Sequence, residues 1–327
     1  LRSRHGWDVA TKDISFVSGV VSGFTHAIYA LTNPGDRVLI QTPAYPPFLA
    51  APQCTGRTLV ITPLRRTDGG YYEIDFDDFE AKMASGVKLF ILCNPQNPTG
   101  RVFKREELQK MAEICLRHGS KICSDEIHAD LVYSGHKHIP IASLSQEVAD
   151  NTVTYFAPSK TFNVAGFSTS VYVTTQVKMQ EALSQSMPML LGHPNILGLH
   201  AALAAYRDGG SWLADVLKYL EANRDHMVKI VNQKMPGVQV YKPEGTFLGW
   251  LDCRSLALDT SPHQFFLTEA KVGLNDGRDF GEAGDGFVRL NFGCPRALLD
   301  QGLNQMISAI KKRNYMGSVF EQGFDVQ

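Results

Sequence analysis

One run in this chain leaves little freedom of fold: Val87-Lys88-Leu89-Phe90-Ile91-Leu92-Cys93. It is short, nearly continuous in apolar character and bounded by turn signals. A strand of that kind must be covered on both faces, as in a parallel sheet sandwiched between helices. It runs directly into Asn94-Pro95-Gln96-Asn97-Pro98-Thr99-Gly100. Two Asn-Pro steps enforce an extended, rigid turn. Open α/β sheets place their ligands at the carboxyl ends of such strands, and Asn97 offers an amide there.

The rest of the N-terminal part repeats the alternation. Strands are expected at Ile14 to Gly19, Arg37 to Gln41, Arg57 to Thr62, Lys121 to Ser124, Thr152 to Phe156 and Thr169 to Val173. Helical spacing separates them, through Ala27 to Leu31, Ile74 to Ala84 and Lys104 to His118. This pattern implies an α/β fold with a mainly parallel sheet up to about residue 175. A long amphipathic stretch, Trp212 to Lys234, can link two domains and is stopped by Pro236-Gly237. Beyond it, strands near Val238, Gly245 and Phe287 alternate with helices near Pro262 and Arg296. The expected division is a large domain over 1–235 and a small C-terminal α+β domain over 236–327.

Several positions carry chemistry. Gly19-Val20-Val21 turns a strand into a helix, which makes an anion site or an ordinary connection. Thr42-Pro43-Ala44-Tyr45-Pro46-Pro47-Phe48 is expected as a stiff, non-helical loop. There Tyr45 is either a flat platform or a buried loop aromatic. Asp125 closes a buried strand and needs a cationic partner, unless it caps a helix. After it, His128 reads as a structural histidine, and Glu126 and Asp130 as solvent-facing. His136 and His138 mimic a metal pair but lack a third ligand nearby. Lys160, in Ala157-Pro158-Ser159-Lys160-Thr161, stands at the end of an apolar strand. Desolvation there would lower its pKa and free an amine nucleophile; the alternative is a solvated loop lysine. Arg289, inside Phe287-Val288-Arg289-Leu290-Asn291-Phe292, needs an anion. A ligand carboxylate suits its fork, and an internal salt bridge is the alternative.

Composition excludes some classes. The net charge is -1, and Lys and Arg form no tract, which argues against a nucleic-acid or anionic-membrane surface. No apolar run approaches the roughly 18 residues of a membrane span. Six cysteines without a CxxC pair read as free thiols in a reducing cytoplasm. The chain opens without Met or a signal-peptide pattern, so its start is expected to be missing.

Together, Asn-Pro-x-Asn-Pro-Thr-Gly, Ser-Asp-Glu-Ile-His and Ser-Lys-Thr-Phe-Asn resemble the fold-type-I pyridoxal 5′-phosphate (PLP) enzymes of the class I/II aminotransferase superfamily. Thr-Pro-x-Tyr-Pro-Pro-Phe and Arg-Leu-Asn-Phe-Gly-Cys-Pro-Arg narrow the likeness to the MalY/PatB-type cystathionine β-lyases, or C–S lyases. The resemblance implies a seven-stranded, mainly parallel sheet and a homodimer acting on a small amino-acid substrate. It implies that Lys160 carries PLP as a Schiff base and moves the Cα proton. Asp125 would pair with the ring nitrogen, Asn97 would bond the ring oxygen with His128 nearby, and Tyr45 would stack on the ring. The Val20 and Val21 amides, with Ser159, would hold the phosphate, and Arg289 the substrate carboxylate. Ala157 and Ser168 stand where many aminotransferases place phosphate-binding Ser and Arg. The N-terminal arm and the start of the small domain would be missing. The implied reaction is cleavage of cystathionine or a related cysteine S-conjugate to thiol, pyruvate and ammonia. The alternatives are amino-acid transamination and a regulatory protein with residual PLP chemistry.

Overall fold

The computed structural model describes residues 1–322, with backbone only for 187–190 and 315–322. Residues 323–327, the tail of the expected second domain, lie outside the described residues. Seven strands form the main sheet: β1 (Ile14–Val17), β2 (Arg37–Thr42), β3 (Thr58–Pro63), β4 (Val87–Cys93), β5 (Lys121–Asp125), β6 (Thr152–Phe156) and β7 (Ser170–Val173). Their order is β1-β7-β6-β5-β4-β2-β3. Pairing is parallel from β3 through β6, and β7 runs antiparallel to both of its neighbours. The carboxyl ends of β1, β2, β4, β5 and β6 therefore share one edge. That edge carries every loop singled out from the sequence.

Alternation along the strands sorts the core into two layers. Leu39, Phe90, Leu92 and Ile122 pack with α3 (Phe76–Ala84) and α4 (Arg105–Arg117). Val38, Ile40, Leu89, Ile91 and Cys123 pack on the other face with α1 (Val20–Leu31) and α2 (Pro46–Cys54). The apolar run Val87–Cys93 is thus covered on both sides, as its composition requires.

The stiff loop after β2 departs from expectation. Pro46 and Pro47 begin α2 instead of excluding a helix, with Tyr45 at its N-cap. Proline suits the first turn because its missing amide would be unpaired there anyway.

After α5 (Pro158–Thr161), α6 (Val177–Leu190), α7 (Ile196–Asp208) and the long α8 (Gly210–Lys234) comes a four-stranded antiparallel sheet. Its strands are β8 (Gln239–Val240), β9 (Leu248–Asp252), β10 (Asn275–Asp276) and β11 (Phe287–Asn291), in the order β8-β9-β11-β10. Its own core joins Leu220, Met227 and Val231 of α8 to Leu251, Val288 and Leu290, and to α9 (Arg296–Gln322) through Leu303 and Met306.

The second sheet is tied to the first where Gly245 pairs with Val132. An added Cβ on Gly245 would stand 2.8 Å from the Leu131 carbonyl oxygen, so only glycine permits this approach. The contact swings Phe247 and β9 over the carboxyl edge of the main sheet.

Candidate active site

A cavity of about 420 Å³ opens at that edge and gathers Val20, Val21, Tyr45, Asn97, Asp125, His128, Ser159, Lys160 and Arg289. Every residue proposed from the sequence as a binding or catalytic group lines it.

Asp125 ends β5 and is 5% exposed. Its Oδ1 accepts from the Ile127 amide at 3.0 Å, and it caps no helix. No cationic side chain stands within 4 Å of it among the described residues. Burial pushes the carboxyl up to about 7; the Ile127 bond and Lys160 pull the other way, and Glu126 adds to the rise. The cationic partner expected from the sequence is therefore not supplied by the described side chains.

His128 is 4% exposed, and its Nδ1 is buried without a partner. Burial, reinforced by Lys160 and Arg289, holds the imidazole down to about 3, so it is neutral. Phe247 meets it edge-on.

Asn97 is fixed by its loop. Both of the loop's Asn-Pro bonds are cis. Gln96 Nε2 donates to the Pro43 carbonyl at 2.7 Å, and the Phe103 amide donates to Asn94 Oδ1 at 3.1 Å. Asn97 Oδ1 accepts from Arg289 Nη1 at 2.8 Å, leaving the Nδ2 end for another acceptor.

Arg289 is half-buried, lies over the Phe280 ring and donates through Nη2 to Asn275 Oδ1 at 2.8 Å. Its Nε is buried without a partner. No carboxylate stands within 4 Å among the described residues, so the internal salt bridge is absent. Two neutral amides aim an uncompensated guanidinium at the cavity.

Lys160 requires a correction. It sits on α5, one short helix beyond β6, and its side chain is exposed on the cavity wall. The desolvation inferred from the apolar strand before it does not occur, because the helix carries it past the strand end. No carboxylate lies within 4 Å of its amine among the described residues.

Helix α1 is preceded by its N-cap Gly19, whose φ of 102° is a conformation glycine tolerates. The amides of Val20 and Val21, at the start of the helix, have no intrahelical acceptor. Ser18, Ser22, Ser168 and Thr169 line the same wall. Ser168, in the left-handed region with φ 45°, lines the cavity at the position where the resemblance would place an Arg. Tyr45 is half-buried, with Phe48 edge-on to it at 5.9 Å.

Glu126 and Asp130 do not face solvent. Glu126 is 1% exposed and accepts from His138 Nε2 at 2.7 Å; Asp130 is held by Arg4 and His5. His138 is thereby engaged, and no metal-binding group of side chains occurs among the described residues. Phe247 and Asn291 also reach the cavity. Both arrive with the second sheet: Phe247 has no local motif to place it, while Asn291 stands two residues beyond Arg289 on β11, where strand alternation puts it on the same face.

A sequence model of the aminotransferase class I and II family matches residues 3–306. Cystathionine β-lyase PatB of Bacillus subtilis is 42% identical, over 95% of this chain and 81% of that protein. Cystalysin from Treponema denticola, whose crystal structure contains a pyridoxal 5′-phosphate cofactor, superposes with a TM-score of 0.92. It is 34% identical and covers 95% of this chain and 79% of its own. The PLP-bound C–S lyase from Staphylococcus hominis superposes at 0.89, with 32% identity, over 94% of this chain and 81% of its own.

Proposed function

The chain belongs to the aminotransferase class I and II family, and from that premise we propose how its cavity works as the site of a PLP-dependent carbon–sulfur β-lyase. The observation that carries the reading is Asp125, a buried carboxylate at the floor of the cavity without a cation. A protonated aromatic nitrogen complements it. The other groups fit the same cofactor. The start of α1, with Ser159, suits a phosphate. Tyr45 suits a ring face, and the free amide of Asn97 and the neutral His128 suit a ring oxygen. When bound, pyridoxal 5′-phosphate supplies an electron sink for the pair left at the substrate Cα.

The protein's own groups do the rest. Arg289 holds the α-carboxylate, with its fork oriented by Asn97 and Asn275. That grip fixes the Cα–H bond in direction. Lys160, exposed on the cavity wall, would anchor the cofactor and would take the Cα proton of the substrate. Asp125 holds a proton on the ring nitrogen. In the net reaction the Cβ–S bond breaks and sulfur leaves with the bonding pair, gaining a proton to become a thiol. Water then converts the three-carbon remainder to pyruvate and ammonia. The substrates are cystathionine or related cysteine S-conjugates.

Residues 1–235 and 236–327 act as two domains, a reading supported by the core that Leu251, Val288 and Leu290 form with Leu303 and Met306, onto which the connecting α8 packs through Leu220, Met227 and Val231. Exposed Ile196, Leu197 and Leu203 on α7 support a homodimer. Six free cysteines support a cytoplasmic location, and no described helix is long and apolar enough to cross a membrane.

The test is a visible absorbance spectrum after reconstitution with PLP. A band that Lys160→Ala lacks is expected. An identical band in the variant would overturn the role of Lys160.

A further inference from the structure

Behind Asp125, on the face of β5 turned away from the cavity, lies a buried hydrogen-bonded cluster of Glu126, His138 and Ser124 that the reaction does not use. Strand alternation sends Cys123 and Asp125 toward α1 and the cavity, and Ser124 to the opposite side. Glu126, the first residue beyond the strand, reaches the same side as Ser124. Its Oε1 accepts from Ser124 Oγ at 2.9 Å and from the Ile141 amide at 3.2 Å; its Oε2 pairs with His138 Nε2 at 2.7 Å. The side chains of Glu126 and His138 are 0% and 1% exposed.

We propose that Glu126, held by His138 and Ser124, is a positioning residue that fixes where the Asp125 carboxylate meets the cofactor. The proposal rests on the PLP reading of the cavity. The backbone around Asp125 is already stitched to both neighbouring strands. The Asn94 amide donates to the Asp125 carbonyl, and the Glu126 amide to the Tyr155 carbonyl, each at 3.0 Å. These bonds set the strand in the plane of the sheet. The Glu126 carboxylate adds attachment from behind, to the turn at Ile141–Ser143 and to His138. Adjacent Cα atoms are held about 3.8 Å apart, so a shift of Glu126 moves Asp125 with it. Burying such a pair seldom adds net stability. Its distinctive consequence is geometric, as with groups that orient a ligand-binding side chain from behind.

The test compares the affinity for PLP, the visible spectrum of the holoprotein and Tm in Glu126→Ala, Glu126→Gln and Asn151→Ala. Asn151 anchors the opposite end of β5 through the Ser120 carbonyl and Lys121, so its variant loosens the same strand far from the cavity. Glu126→Ala is expected to raise the Kd for PLP about tenfold or more and to shift the absorbance band. Glu126→Gln, which keeps the shape and the bonds from Ser124 and Ile141, should fall between it and the parent. Asn151→Ala should lower Tm and leave both cofactor readouts unchanged. A parental Kd and spectrum in Glu126→Ala would overturn the proposal, as would equal changes in Asn151→Ala. If Glu126→Ala does not fold, His138→Phe removes the bond to Glu126 and fills the ring's volume. The same rise in Kd supports the proposal, and a parental Kd overturns it. If the parent protein itself takes up no PLP, the reading of the cavity fails and this proposal with it.

Discussion

Replacing Asp125 by Asn should change how the cofactor-free protein responds to pH in a calculable way. Burial raises the Asp125 carboxyl from 3.8 to about 7. The folded state therefore binds a proton that the unfolded state releases near pH 4. A group shifted upward contributes its full stability below the unfolded pKa and loses it as pH rises through the folded one. The window is about pH 4 to 7, and the shift corresponds to about 4 kcal/mol across it. Asn keeps the shape and removes the ionisation. The assay is urea unfolding of both cofactor-free proteins from pH 4 to 8. Subtracting one profile from the other cancels the groups they share. The variant should gain on the parent steadily with pH, by an amount on the order of 4 kcal/mol at pH 8. Parallel profiles would refute the reasoning, because they would mean that Asp125 is solvated or already paired with a cation.

Other outcomes follow from the same geometry. Lys160→Ala should abolish pyruvate production while changing stability by no more than about 0.5 kcal/mol, since the side chain is exposed; activity and denaturation assays check both. Asn275→Asp puts a carboxylate against Arg289 Nη2, where it competes with the substrate; steady-state kinetics should show KM raised about tenfold, with kcat changed far less. Gly23→Ala would set a Cβ 2.4 Å from the Tyr155 ring, so thermal unfolding should report a loss of about 1–3 kcal/mol. His128 works against Asp125, because a histidine held down to about 3 costs stability as pH falls below 6.5. His128→Asn should remove that acid-side loss in pH-dependent unfolding.

The parts that the sequence made legible are those written locally. Val87–Cys93 is apolar on both faces and proved to be a central parallel strand, and its two Asn-Pro steps marked the loop that holds Asn97. Arg289 stood out because a guanidinium inside an apolar strand requires an explanation. The errors have a common physical origin: solvent exposure belongs to the assembled fold. Lys160 follows a buried strand, yet a single turn of helix carries it onto the cavity wall. Glu126 looks like any acidic loop residue until the chain returns twelve positions later with His138. Pro46-Pro47 forbids a helix only if the prolines fall inside it; at the first turn they favour one. Phe247 reaches the cavity only because the second sheet folds back at Gly245, a contact with no local signature, whereas Asn291, two residues beyond Arg289 on the same strand, could have been found by alternation.

The most direct test of the lyase reading is incubation of the PLP-loaded protein with L-cystathionine and no added keto acid. Pyruvate and free thiol should appear together in equal amounts over many turnovers. Product formed only after a keto-acid acceptor is supplied would contradict the lyase account and make the protein an aminotransferase.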